Sequence, residues 1–95
     1  MPFHFIPCKI ERGGFSGERT FTISLANGEA LVGSAHVDHL RTGDRKILDA
    51  GQPPFGEILD GFVRCREVEV RDQSVVVEVP SADVIQVTKD ELVCI

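Results

Sequence analysis

Hydrophobic and polar residues alternate along several short segments of this chain, which is the pattern of half-buried β-strands. The segment Arg19 to Leu25 alternates most regularly, with apolar side chains on one face and threonine and serine on the other. Asn27-Gly28 follows it and predicts a hairpin with a type I′ turn, with the returning strand over Glu29 to Ala35. No segment keeps helical periodicity over three turns, so the fold is predicted to be all-β.

The last third of the chain repeats the strand pattern. Glu67 to Arg71 and Val75 to Val79 alternate on either side of a turn at Asp72-Gln73-Ser74. Pro80 to Asp83 predicts one short 3-10 turn, and Val84 to Val87 predicts a last strand. Strand, tight turn, strand, short turn and strand is how a small β-barrel ends.

Two other strands complete the predicted sheet. Phe3 to Arg12 is β-prone, and Pro7 within it favours a rim position because proline cannot donate to a ladder. Ile58 to Arg71 is a long run in which Asp60-Gly61 suggests a bulge or a sharp bend. A long, bent strand allows one sheet to wrap into a barrel.

The length of 95 residues indicates a single domain with one core. The prediction is a small barrel of five to six strands, with a long surface loop over about residues 36–56 and a flexible C-terminal tail over about residues 90–95. Gly33 should allow a neighbouring backbone or aromatic ring to approach its strand closely. The predicted core comprises Phe21, Ile23, Leu25, Leu31, Val63, Val68, Val70, Val75, Val77, Ile85 and Val87.

Residues Phe21 to Thr88 resemble the Sm-like fold, the SH3-like small barrels of RNA-associated ring proteins. The resemblance rests on Ile23-x-Leu25-x-Asn27-Gly28 followed by Gly33, which is similar to the first Sm signature. It implies an SH3-like or Sm-like barrel and makes a nucleic-acid-binding protein an alternative function.

The residues through which that family contacts RNA are not matched. Asp38 lies one residue before the expected acidic position, and Leu40 to Asp44 contains no asparagine. Val79-Pro80 stands where the family carries a basic pair. The resemblance therefore implies the barrel and does not supply an RNA-contact motif.

Charge argues against a general affinity for polyanions, because 15 acidic residues outweigh 10 basic ones and the formal net charge is -5. Nucleic-acid binding would need a local basic patch. Two groups of residues could form such a phosphate track. Arg41, Arg45 and Lys46 lie in one predicted loop, and Arg64 and Arg66 lie on one predicted strand.

A metal-binding protein is a further alternative. His36, Asp38 and His39 are the only metal-capable side chains close together in sequence, and they could supply two nitrogen ligands and one oxygen ligand to a divalent metal. His4 or Cys8 would have to complete a tetrahedral site. The other interpretation is a polar strand end with solvated histidines, in which case no cofactor is expected.

The three cysteines are far apart and form no C-x-x-C pair, which favours reduced thiols in the cytoplasm. Cys65 is expected in the core, since strand alternation places it with Val63. Cys94 is expected to be exposed. No apolar run approaches the length of a membrane span, so no membrane association is expected.

No catalytic constellation stands out, and the primary hypothesis is a non-enzymatic protein-binding or self-assembly module. The partner is predicted to be another protein or a second copy of this chain, and a homo-oligomer could form through strand edges. Phe55 lies in a proline-stiffened loop, where it either packs on the barrel or acts as a partner-binding anchor.

Overall fold

The computed structural model describes residues 4–95 and confirms the all-β prediction. Within that range there is no α-helix, and the only helical segments are two 3-10 turns at Val37–His39 and Lys89–Glu91. The eight strands are β1 His4–Arg12, β2 Glu18–Ser24, β3 Ala30–His36, β4 Leu40–Thr42, β5 Leu59–Val70, β6 Ser74–Glu78, β7 Val84–Thr88 and β8 Val93–Cys94.

These strands form one curled antiparallel sheet in the order β3-β2-β1-β5-β6-β7, with β4 paired to β5 and β8 paired to β1. The twelve-residue strand β5 curls the sheet, because its first half pairs with β1 and its second half pairs with β6. The register shifts between Glu67 and Glu69, so the bulge lies at Val68. Gly61 instead lies in regular pairing with Cys8 and Thr42, so there is no bulge at Asp60-Gly61.

The first strand was expected at the rim, and this is wrong. β1 lies inside the sheet and pairs with β5, β2 and β8. Pro7 is tolerated because the pairings with β8 and β2 cover only residues 4–5 and 9–12. On the side of β1 away from β5, Pro7 therefore falls in the gap between β8 and β2, where no strand needs an N–H donor.

The core lies on the concave face of the sheet. Most of the predicted core residues are buried or partly buried there, whereas Val68 and Val70 are more than half exposed. The bulge interrupts the alternation at Val68, and Val70 lies at the end of the sheet, where few neighbours cover it. Buried apolar residues outside the prediction are Phe5, Ile6, Cys8, Ile10, Ala35, Leu40, Leu48 and Val79.

Gly33 has the role that the sequence predicts. A methyl group at this position would lie 2.7 Å from the ring of Phe21 and 2.7 Å from Oγ of Ser81. Ser81 belongs to the loop between β6 and β7, so this close approach brings β3 against the far end of the sheet. The two ends of the curled sheet thus meet here by packing, since β3 and β7 are not paired by hydrogen bonds.

The hairpin at Asn27-Gly28 does not contain the predicted type I′ turn. Leu25 donates to the carbonyl of Glu29 and accepts from Gly28 N–H, which defines a three-residue loop. Only Gly28 has a positive φ, at 88°, and Asn27 does not. The loop is a turn followed by one left-handed residue, the second common hairpin connection.

The same three-residue loop recurs between β6 and β7, where the sequence predicts a 3-10 turn over Pro80–Asp83. The Val79 N–H donates to the Asp83 carbonyl, and the Ala82 N–H donates to the Val79 carbonyl. Ala82 takes the left-handed position with a φ of 69°. The proline begins a β-turn that reverses the chain, and no helical turn follows.

The segments predicted as a loop at 36–56 and as a tail at 90–95 are more structured than expected. The first contains a 3-10 turn, strand β4 and the buried residues Leu40 and Leu48. In the second, Val93 and Cys94 pair with Phe5 and His4 of β1. Both segments are short pieces whose pairing partner is distant in sequence, so local periodicity does not reveal them.

Candidate functional site

One outward-facing area of the sheet combines arginines with aromatic rings. Phe62 of β5 lies directly opposite Arg41 of β4, and Arg64 lies directly opposite Phe5 of β1. Residues opposite each other across a ladder share a face, so these four side chains lie on the convex side of the sheet, where Phe5 is buried and the other three are partly exposed. Arg45, from the hairpin after β4, places its guanidinium 5.9 Å from the Phe62 ring centre. We call these five residues the basic–aromatic face.

Arg41 is fixed within this face. Its guanidinium lies 5.0 Å from the ring centre of Phe5, within the range of a cation–π interaction. Its Nη1 donates hydrogen bonds to the main-chain oxygens of Asp38 at 2.9 Å and Leu40 at 2.8 Å. The remaining N–H groups, on Nε and Nη2, make no hydrogen bond within residues 4–95.

The structure therefore brings together three of the five predicted phosphate contacts, Arg41, Arg45 and Arg64. Arg66 donates to Oε1 of Glu78 through both Nε and Nη2, at 3.2 and 2.7 Å, so its charge is paired. Lys46 follows Arg45 in the exposed hairpin. Sequence reasoning did not connect these arginines with Phe62, because the pairing of β4 with β5 is not a local feature.

His36, Asp38 and His39 do not assemble into a three-ligand centre. His36 Nδ1 accepts a hydrogen bond from the backbone N–H of Asp38 and lies 3.3 Å from its Oδ2. No group of three or more histidine, cysteine or acidic residues in the described part of the chain is arranged to hold a metal ion. The local contacts are those of a strand end with a side-chain cap.

His39 is the more unusual of the two histidines. Its Nδ1 is buried and has no hydrogen-bond partner in residues 4–95. Burial lowers the pKa of His39, and the positive charge of Arg64 and the neighbouring His36 lower it further. This imidazole therefore favours its neutral form.

Phe55 does not pack onto the barrel, since 78% of its surface is exposed. The guanidinium of Arg12 lies 4.8 Å from its ring centre, and Arg12 Nε donates to the carbonyl of Pro53. Phe55 is thus presented on the surface by a loop that β1 holds in place. Its predicted role as a partner-binding anchor stays a prediction.

A buried arginine, which the sequence reasoning missed, holds the same loop. Arg19 is completely buried, and its guanidinium donates to four main-chain carbonyls, those of Gln52, Ala50, Glu18 and Ser16. It makes no ion pair with any carboxylate within residues 4–95. Burial, and secondarily the charge of Arg12, lower the pKa of Arg19. Its position in the alternation with Phe21 and Ile23 was the available signal, because all three share the core face.

Strand β7 has a free edge. Hydrogen bonds flank its ladder with β6 on both sides, from Val79 N–H to the Asp83 carbonyl and from Lys89 N–H to the Gln73 carbonyl. Hydrogen-bonded positions alternate along an antiparallel strand, so the odd-numbered residues of β7 bond to β6. The N–H and C=O groups of Val84 and Gln86 therefore point away from the sheet. No other described strand pairs with β7 on that side.

A groove of about 520 Å³ runs along this edge. The tip of the β2–β3 hairpin, Ser24 to Asn27, bounds its other side. Val84 is exposed at 56%, whereas Ile85 and Val87 turn toward the core. At the end of the groove, the Glu91 carboxylate accepts hydrogen bonds from both the N–H and the hydroxyl of Thr88. We call the gap between β3 and β7 the seam.

The cysteines lie where the sequence predicts. Cys65 is buried with Val63, and Cys94 is exposed. Burial raises the pKa of Cys65 to about 12, with a smaller contribution from Glu67, and burial raises the pKa of Cys8 to about 12. Neither buried thiol supplies a thiolate nucleophile near neutral pH.

Comparison with protein-family models, characterised proteins and solved structures finds no match to this chain. The resemblance to Sm-like proteins thus stays a prediction from the sequence. No helix within residues 4–95 has the length and apolar character needed to cross a membrane.

Proposed function

We propose that this protein is a non-enzymatic self-assembly module in which β7 pairs with a strand from a second copy of the chain. The observation that carries the proposal is the free edge of β7, with the outward N–H and C=O groups of Val84 and Gln86. An unpaired edge is a ready template for another strand. The adjoining groove leaves room beside it.

The composition of this edge favours pairing. Proteins that keep an edge strand unpaired commonly place a lysine, a proline or a bulge in it. β7 has none of these, because its sequence is Val84-Ile85-Gln86-Val87-Thr88 and its ladder with β6 is regular. The strand is uncharged and rich in β-branched residues, so two copies can approach without repulsion.

A two-fold axis through Gln86 gives the best register for two antiparallel β7 strands. Gln86 then faces its own counterpart, and Val84 faces Thr88 of the second copy. One position further out, Asp83 comes beside Lys89 of the second copy, so opposite charges meet at both ends. Such an isologous arrangement closes as a dimer.

Glu91 limits the length of the pairing. Its carboxylate already accepts from Thr88 N–H at 3.2 Å, so this donor is not available to a second strand. In the proposed register, the pair of Val84 and Thr88 is therefore joined by the Val84 N–H and the Thr88 carbonyl alone, and the two copies of Gln86 form the complete pair at the centre. The same contact protects the end of β7 from unlimited strand addition.

Sedimentation velocity over a concentration series tests the proposal. Val84→Lys places a charge on the free edge and should weaken association by about tenfold or more. Val68→Lys is the matched control, because Val68 is similarly exposed, at 51%, but lies on the β5 bulge. A wild-type protein that stays monomeric into the high micromolar range would overturn the proposal, and so would equal effects of the two lysines.

A charge exchange tests the register. Asp83→Lys and Lys89→Asp should each weaken the dimer, because each puts like charges together at both ends. The double variant should recover most of the association, since every pair is again of opposite sign. Failure of the double variant to recover would exclude this register while leaving the edge itself testable by Val84→Lys.

A further inference from the structure

The basic–aromatic face is separate from the seam, and we propose that it binds single-stranded nucleic acid. The ligand would place phosphates against Arg41, Arg45 and Arg64 and stack a base on Phe62. These side chains lie on one convex face, as the pairing of β4 with β5 and of β5 with β1 requires. Proteins that bind single strands combine a basic track with aromatic platforms in this way.

The face is locally positive although the chain as a whole is acidic. Apart from Asp44, which adjoins Arg45 in the hairpin, the acidic groups next to it have partners of their own, since Asp60 lies against Lys9 and Glu78 against Arg66. The Asp38 carboxylate lies beside His36, and it is the main-chain oxygen of Asp38 that accepts the hydrogen bond from Arg41. The guanidinium groups therefore set the local sign of the field, and phosphate is the anion that they match best.

The arrangement favours an unpaired strand over a duplex. Phe62 is partly exposed on the sheet, with Arg41 directly opposite it and the Arg45 guanidinium 5.9 Å from its ring centre. A base can stack on such a ring only when it is not held in a double helix. Arg41 is already oriented by its two carbonyl contacts and by Phe5, so little side-chain freedom is lost on binding.

Arg45 offers a substitution that separates binding from folding. Its φ of 67° is in the left-handed region, where asparagine is better tolerated than arginine. Arg45→Asn thus removes the charge without straining the hairpin. A loss of affinity in this variant cannot come from loss of the fold, provided that its melting temperature is at least that of the wild type.

Fluorescence anisotropy with labelled oligo(dT) and oligo(rU) of about 12 nucleotides measures the binding. For three phosphate contacts, the logarithm of the association constant should fall with the logarithm of salt with a slope of about -2, and Arg45→Asn should reduce the slope by about 0.7. Phe62→Leu should weaken binding by at least about fivefold, because leucine fills space but offers no stacking face. The DNA and RNA probes report whether the 2′-hydroxyl contributes.

Arg71→Gln is the matched control, since it also removes one arginine but lies outside this face, paired with Glu69. It should leave the affinity within about twofold of the wild type. Asp44→Asn should strengthen binding, because this carboxylate adjoins Arg45 in the hairpin.

Three results would overturn the proposal. One is no detectable binding at about 20 mM salt, where electrostatic contacts are strongest. Another is an equal loss in Arg71→Gln and Arg45→Asn, which would show a response to net charge alone. The third is unchanged affinity in Phe62→Leu together with equally tight binding of heparin, which would make the face a general anion site.

Discussion

The Nε of Arg19 donates a 2.7 Å hydrogen bond to the main-chain oxygen of Gln52, joining strand β2 to a loop 33 positions further along the chain. Because the guanidinium is completely buried and also bonds to Ala50, this loop is anchored in the interior. The exposed Phe55 projects from the anchored loop. The segment around Gln52, which the sequence predicts as a surface loop, is thus held in place by a buried side chain.

Replacement of Arg19 should loosen this loop. Arg19→Lys keeps a positive charge but cannot reach four carbonyls at once, and the free energy of unfolding should fall by about 3 kcal/mol. Urea denaturation measures the loss, and hydrogen exchange at Gln52 should accelerate. Arg12→Lys is the control, since Arg12 donates only one hydrogen bond to the loop and should cost no more than about 1 kcal/mol. Equal effects of the two substitutions would contradict the anchoring role.

Ala82→Gly should stabilise the protein. Ala82 holds a φ of 69° in the β6–β7 loop, a conformation that costs an alanine more than a glycine. The expected gain is about 0.5 to 1 kcal/mol in thermal or urea unfolding. Ala26→Gly provides the comparison, because Ala26 opens the equivalent loop before Gly28 without a positive φ and should lose a similar amount. A gain in both variants would contradict this reasoning.

Thiol labelling should distinguish the three cysteines. At about pH 8, the native protein should take up one maleimide rapidly, at Cys94, because Cys8 and Cys65 are buried with pKa values raised to about 12. Intact mass measurement should show a single adduct, and denaturant should raise it to three. Cys94→Ser should abolish the fast adduct. Rapid labelling of Cys65 would mean that the second half of the sheet opens readily.

His39 should make the protein less stable in mild acid. Since burial and Arg64 lower the pKa of His39 in the folded state, the unfolded chain binds this proton more tightly. The free energy of unfolding should therefore decrease as the pH falls through about 6.5 and continue to decrease until the lower folded pKa is passed. His39→Gln should flatten this part of the stability curve relative to its value at about pH 8. An unchanged slope would assign the pH dependence to other groups.

The sequence by itself determined the all-β class and the alternation of β2, because each depends on neighbours a few residues away. It also predicted a close approach at Gly33, because glycine leaves room there, but the neighbours Phe21 and Ser81 come from distant segments. Strand alternation also placed Cys65 in the core, on the same face as Val63. The prediction from alternation failed at Val68, because a bulge there shifts the register by one residue. Pro7 led to a wrong prediction of a rim position for β1. A proline is tolerated inside the sheet here because β2 and β8 stop pairing with β1 on either side of it.

Only the tertiary structure decided which candidate residues meet. Arg41 and Phe62 are 21 positions apart and become neighbours through the pairing of β4 with β5. The free edge of β7 is likewise a property of the whole sheet, because a strand is an edge only when no other segment pairs beside it. Local patterns fix the elements through short-range sterics and burial, whereas the surfaces arise from contacts between distant segments.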